Sequence, residues 1–204
     1  MFKYLKNTIG ISIFVITIIL GVYIIDVLAD NEVNLPGTAS EFATGQQGWS
    51  LKDNIKLDNN QTATNFFPGV RTTHQLRGSN FGFAIPGSAT IDGITFQVQK
   101  KEGGAGTTVD LSVRLVDEDG AVFGDDKADN STPYPNNLTN VDYGGVADKW
   151  GVTLTPAIVN DSDFGAILSA SLNNSQAKID YFKITVNYTT GAGEAGIVTL
   201  SPAF

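Results

Sequence analysis

Residues 177–189 read AKIDYFKITVNYT. In this stretch Phe182, Ile184, Val186 and Tyr188 alternate with Lys183, Thr185 and Asn187. Successive side chains of an extended chain point to opposite faces, so this alternation places one face on a core and the other in water. The same period of two returns upstream. Ile94, Phe96 and Val98 alternate with Thr95, Gln97 and Gln99, and Val109, Leu111, Val113 and Leu115 alternate with Asp110, Ser112 and Arg114. Past residue 30 no segment offers a run of helical spacing. Turn pairs such as Pro86-Gly87, Asp92-Gly93 and Asp119-Gly120 separate the runs. The expected fold is all-β: an antiparallel β-sandwich, jelly-roll-like, preceded by one N-terminal hydrophobic helix.

Composition agrees with this reading. Hydrophobic residues make up 42% of the 204, too many for a disordered chain, and 22 glycines beside abundant Thr, Ser and Asn favour turns and short strands. The formal net charge is −8. Setting aside Lys3, Lys6 and Asp26 of the leader makes residues 30–204 one charge more acidic still. An acidic surface without a basic stripe repels phosphate backbones, which argues against nucleic acid as a partner. Cysteine is absent, which removes thiol nucleophiles, thiolate zinc sites and iron–sulfur clusters from consideration. A domain of this length can bury an adequate core without disulfides.

The chain opens MFKYLKNTIGISIFVITIILGVYIIDVLAD. Lys3 and Lys6 precede an uncharged run from Asn7 to Ile25, and Val27-Leu28-Ala29 follows, a secretory signal pattern with cleavage expected after Ala29. The run also approaches the ~20 residues that cross a bilayer. An uncleaved anchor with its lysines in the cytoplasm therefore fits as well. Both versions make residues 1–29 a signal peptide or membrane anchor, with the rest of the chain extracellular. A type IV pilin leader matches less closely, because the Glu expected five positions after Gly10 is Val15.

Residues 30–47 are polar and aperiodic and read as a linker. Within them Leu35-Pro36-Gly37-Thr38 resembles part of a sortase signal, at the wrong end of the chain and without its final glycine. Residues 48–190 form the expected β-sandwich domain. Residues 191–204 read as a Gly/Ala spacer with a possible final strand at Ile197-Val198-Thr199-Leu200, which either covers its own sheet edge or donates to a neighbouring subunit.

The densest landmark is VDYGGVADKWGVTLTPAIVNDSDFG, residues 141–165. Gly144, Gly145 and Gly151 permit backbone angles that a Cβ forbids. Trp150, Val152 and Leu154 are expected on the buried side of a strand that Pro156 ends. Asn160 to Asp163 suit a turn, and Phe164 opens the next strand.

These residues carry a resemblance. Phe81-Gly82-Phe83, Ile85-Pro86, Ile91-Asp92-Gly93-Ile94, Tyr143-Gly144-Gly145, Asp148, Trp150-Gly151, Thr155-Pro156, Asn160, Phe164-Gly165 and Asp180-Tyr181 occur in an order that resembles an uncharacterised β-sandwich domain. That domain recurs in bacterial surface and extracellular proteins and in phage structural proteins. The resemblance spans about residues 48–189. It implies a sandwich scaffold and brings no catalytic or ligand residues with it.

Candidate sites are few. His74 is the single histidine, without a nucleophile elbow beside it, and reads as a half-buried or surface polar residue. Residues 117–129 gather Asp117, Glu118, Asp119, Asp125, Asp126 and Asp129. Hard oxygen ligands in a loop are what Ca²⁺ requires, so Asp117, Asp119, Asp125 and Asp126 are the candidate metal ligands, although the spacing is not that of an EF-hand. The competing reading is a hairpin turn at Asp119-Gly120 followed by a solvated acidic loop. A glycosidase pair of carboxylates is a weaker reading of the same acids. Trp49, Trp150, Tyr134 and Tyr143 are aromatic platforms in principle. Trp150 falls in phase with the core, which leaves Trp49 and Tyr134 as the candidate ligand-binding residues for a surface glycan. Sequons begin at Asn60, Asn130, Asn137, Asn160, Asn173 and Asn187. Taken together, the sequence reads as an exported, non-enzymatic structural or adhesive module. The alternatives are a carbohydrate-binding module and a filament subunit assembling by strand donation.

Overall fold

The computed structural model describes residues 28–66 and 68–191. The expected N-terminal hydrophobic helix and the possible strand at residues 197–200 lie outside the described residues. The described residues form nine strands: β1 (Leu28–Asn34), β2 (Thr38–Phe42), β3 (Ala63–Phe66), β4 (Val70–Thr72), β5 (Gln75–Ser79), β6 (Thr90–Val116), β7 (Val122–Phe123), β8 (Thr139–Gly144) and β9 (Gly165–Thr190). A five-residue helix, α1 (Pro156–Asn160), precedes β9. Among the described residues no helix is long and apolar enough to cross a membrane.

All nine strands join one sheet through antiparallel pairs, as the period of two requires. Its spine is the pairing of the two long strands, which runs from Thr90 opposite Thr189 to Val116 opposite Gly165. On the other side of β9, β5, β4, β3 and β1 pair in succession, from Gly165 to Thr190. β8 and β7 pair with the outer side of β6. The alternation is obeyed in two of the three stretches that announced it: Ile94, Phe96, Val98, Phe182, Ile184, Val186 and Tyr188 are all buried. Phe96 meets Phe182 edge to face at 4.9 Å, a pairing worth about 0.5–1.5 kcal/mol beyond the area it buries.

The ribbon is not straight. Lys100 and Asp110, both on β6, would be about 33 Å apart in a regular strand, yet Lys100 Nζ lies 2.7 Å from Asp110 Oδ1. β6 therefore doubles over between them, at Gly103-Gly104-Ala105-Gly106. The ladder is irregular there, shifting register between Gly104 and Thr107. A Cβ on Gly106 would sit 1.8 Å from the Asn173 carbonyl oxygen of β9, so only glycine fits the inside of the bend.

The structure corrects several sequence expectations. Residues 30–47 are not a linker throughout: β1 pairs with the last seven residues of β9, and β2 pairs with β5. Polar side chains hid these strands because β1 is mostly exposed at the sheet edge. The signal-type cleavage position after Ala29 falls inside β1. Asp92-Gly93 is not a turn but an irregularity within β6, where register shifts between Ile91 and Gly93. Residues 150–155 do not form a strand. Pro156 instead starts α1, with Thr155 as its N-cap, and the Thr155 hydroxyl accepts the Ile158 amide, a combination natural to a first helical turn. Trp150 is nevertheless fully buried, as its sequence phase implied. Its indole Nε1 donates to the Ile94 carbonyl at 2.9 Å. Gly144, at φ +72°, makes room for that indole: a Cβ there would stand 2.5 Å from Nε1.

Candidate functional site

The phase of β6 slips at Leu111. Pairing with β9 shifts register between Asp110 and Ser112, so Leu111 drops out of the ladder and is 45% exposed. One extra residue reverses which face each neighbour occupies. Val113 and Leu115 point inward as expected, but on the other side of the irregularity Thr108 and Asp110 are the buried residues, in place of Val109 and Leu111. Asp110 thus enters the interior.

It meets Lys100 there. The two side chains are 1% and 6% exposed. Tyr143, on β8, completes the cluster: its hydroxyl accepts from Lys100 Nζ at 2.5 Å and donates to Asp110 Oδ2 at 2.8 Å. The Asp129 amide approaches the same Oδ2 at 3.4 Å. Tyr134 lies beneath, with its ring centroid 4.0 Å from the ammonium. Thr108 Oγ1 donates to Ser175 Oγ at 2.9 Å near the bend. Burial is the largest influence on Lys100 and lowers its pKa, against the opposing pull of the Asp110 carboxylate. Burial likewise pushes the Tyr143 and Tyr134 phenols upward, and the neighbouring Asp110 charge adds to both. Both phenols are therefore neutral at ordinary pH.

The candidate glycan platforms are not at the surface. Trp49 is 5% exposed and Tyr134 3%. Trp49 Nε1 donates to the His74 carbonyl at 2.8 Å, and Tyr134 faces Lys100. Aromatic rings consumed by the core cannot stack on a sugar. His74 is half-buried, with Nδ1 3.4 Å from Glu41 Oε2. Glu41 also accepts the Trp49 amide and the Lys52 ammonium.

The four candidate calcium ligands do not converge. Asp117 Oδ1 accepts the Asp119 and Ala121 amides, closing the turn at Asp119-Gly120. Asp126 Oδ1 accepts the Val113 and Ala128 amides. Asp125 lies beside Gly151 and 3.8 Å from Lys127 Nζ. Asp129 caps the next turn, and the Ser131 and Thr132 hydroxyls and amides hold its carboxyl well below the usual range. Among the described residues no group of three or more His, Cys, Asp or Glu side chains is placed to hold a metal ion. The acidity of residues 117–129 belongs to turn chemistry.

Sequence reading did not single out Lys100 or Asp110. One signal was available: Lys100 continues the buried phase of Ile94, Phe96 and Val98, and a lysine on an apolar face calls for a partner. No family model matches the chain, and no curated protein matches it.

Proposed function

We propose that this protein is an exported, non-enzymatic structural module, an extracellular β-sandwich of jelly-roll-like form displayed at or released from the cell surface. The observation that carries this reading is the Lys100–Asp110–Tyr143 cluster, which ties the two halves of a doubled ribbon from inside. A second contact supports the facing of the two halves: a Cβ on Gly78 of β5 would lie 3.0 Å from the Phe182 ring, although β5 pairs with the opposite end of β9. Such a device holds a shape. Its members are closed to a substrate by burial, whereas an active site needs a reachable pocket. Export rests on the basic-then-apolar leader, and kinship with the surface and phage domain rests on the ordered landmarks from Phe81 to Tyr181.

Proteolysis of intact cells followed by detection of the C-terminal domain tests the reading. Digestion from outside, together with recovery in the membrane or medium fraction, is the expected result. Recovery in the cytosol would overturn it.

A further inference from the structure

We propose that Lys100 and Asp110 become joined by an amide between Nζ and Cγ, an intramolecular cross-link formed after the chain has folded. The proposal goes beyond the structural reading above and holds wherever the domain resides. Its basis is geometric. An amine and a carboxyl are held 2.7 Å apart, both almost wholly buried, and one phenol touches both.

In water an amine and a carboxylic acid form a salt instead of an amide, because hydration stabilises ammonium and carboxylate. The interior removes that hydration, and an isolated charge is disfavoured in a low-dielectric medium. The direction of the Lys100 shift, downward through burial, agrees. Fixed proximity supplies the rest: well-oriented intramolecular groups react as if at about 10⁵–10⁸ M. The bend at residues 103–106 provides this orientation, and Tyr134 and Tyr143 wall the amine in.

The step balances without a co-reactant. The Lys100 ammonium passes one proton to the Tyr143 oxygen as the Tyr143 hydroxyl passes its own to Asp110 Oδ2, leaving a neutral amine, a neutral carboxylic acid and an unchanged phenol. The Nζ lone pair then attacks Cγ. A Cγ–Nζ bond forms, the Cγ–O bond to the protonated oxygen breaks, and that hydroxyl departs with one amine hydrogen as water. Nothing is oxidised or reduced. A chain without cysteine thereby acquires a covalent clasp across its own bend.

Mass spectrometry of the full chain, purified folded and digested with trypsin, reads the result directly. The expected product is a branched peptide in which Glu102–Arg114 is joined through Asp110 to the peptide carrying Lys100, with no cleavage after Lys100 and a mass lower by one water, about 18 Da. The Asp110→Ala chain is expected to show cleavage after Lys100 and no deficit. Tyr143→Phe keeps the ring and removes the relay, so the branched fraction should fall at least several-fold at equal time after purification. Recovery of the folded natural chain with Lys100 and Asp110 unmodified would overturn the proposal, and so would a water loss mapped to any other residue. An undiminished branched fraction in Tyr143→Phe would overturn the relay.

Discussion

Two regions of this molecule hold its carboxylates in opposite ways. Residues 117–129 carry six acidic side chains within thirteen positions, on a surface loop. The interior near the bend of β6 carries Asp110, 1% exposed. In the loop the carboxylates turn to backbone amides: Asp117, Asp126 and Asp129 each close a turn. In the interior Asp110 faces an ammonium and a phenol drawn from sequence positions 100 and 143. The density of acidic residues along the chain is therefore a poor guide to where charge matters. What matters is the medium: the same interaction is weak in water and strong where water is excluded.

The sharpest way to break this contrast is to remove one carboxylate from each region. Relative to the folded chain before the amide has formed, Asp110→Ala leaves the Lys100 amine buried without its partner and should cost about 3–5 kcal/mol, the range for half of a buried pair. Asp119→Ala, on the exposed turn, should stay within about 0.5 kcal/mol. Urea unfolding of the two chains, followed by tryptophan fluorescence, measures the difference. Equal losses would mean that the interior pair contributes no more than a surface turn.

Most of the sheet was legible in the sequence for a physical reason. Where a strand has one buried face and no irregularity, side-chain polarity copies the pleat, as at Phe182 to Tyr188. The edge strand β1 was illegible because little of it is buried, so its composition records solvent instead of pairing. Residues 150–155 misled because Trp150, Val152 and Leu154 mimic a period of two while the chain turns at Gly151 into α1. Asp110 was illegible for a deeper reason. Its inward direction depends on the irregularity beside Leu111, and that is fixed by the pairing with Ala170 and Ser169, far away in sequence. Lys100 alone left a trace, by keeping step with Ile94, Phe96 and Val98.

Tyr143→Phe sharpens the comparison by keeping the ring and deleting one oxygen. The Phe96–Tyr143 contact, with ring centroids 6.0 Å apart, should survive. Before the amide forms, Asp110 Oδ2 and Lys100 Nζ would each lose a buried hydrogen-bond partner, so a loss of about 1–3 kcal/mol relative to the un-crosslinked chain is expected by the same urea measurement. A substitution without effect would show that the two charges satisfy each other unaided.

Asp148 is an intermediate case, half in each world. Its carboxyl accepts from Lys127 Nζ at 2.9 Å and from the Trp150 amide at 2.7 Å, and the Lys127 hydrogen bond is the largest influence lowering its pKa. A carboxyl whose pKa is lower folded than unfolded adds stability that is complete above its ordinary value near 3.8 and is lost as pH falls through the folded value. Because the pair is partly solvated, the stabilisation should be only about 0.5 kcal/mol. Asp148→Asn is expected to lower the urea midpoint slightly at pH 7 and to match the natural chain once acid has protonated Asp148. A gap that widens in acid would reverse the sign of this account.

The smallest effect is expected where acidity is densest. Calcium binding needs six to eight oxygens converging at about 2.3–2.6 Å, and each loop carboxylate already engaged with an amide must leave its turn to join such a shell. A ligand that binds the folded chain raises its melting temperature in proportion to the logarithm of its concentration over Kd. Millimolar calcium, followed by a chelator, should therefore leave the melting temperature of the full chain unchanged. A calcium-dependent rise that disappears in Asp126→Ala would mean that the loop rearranges to gather its carboxylates.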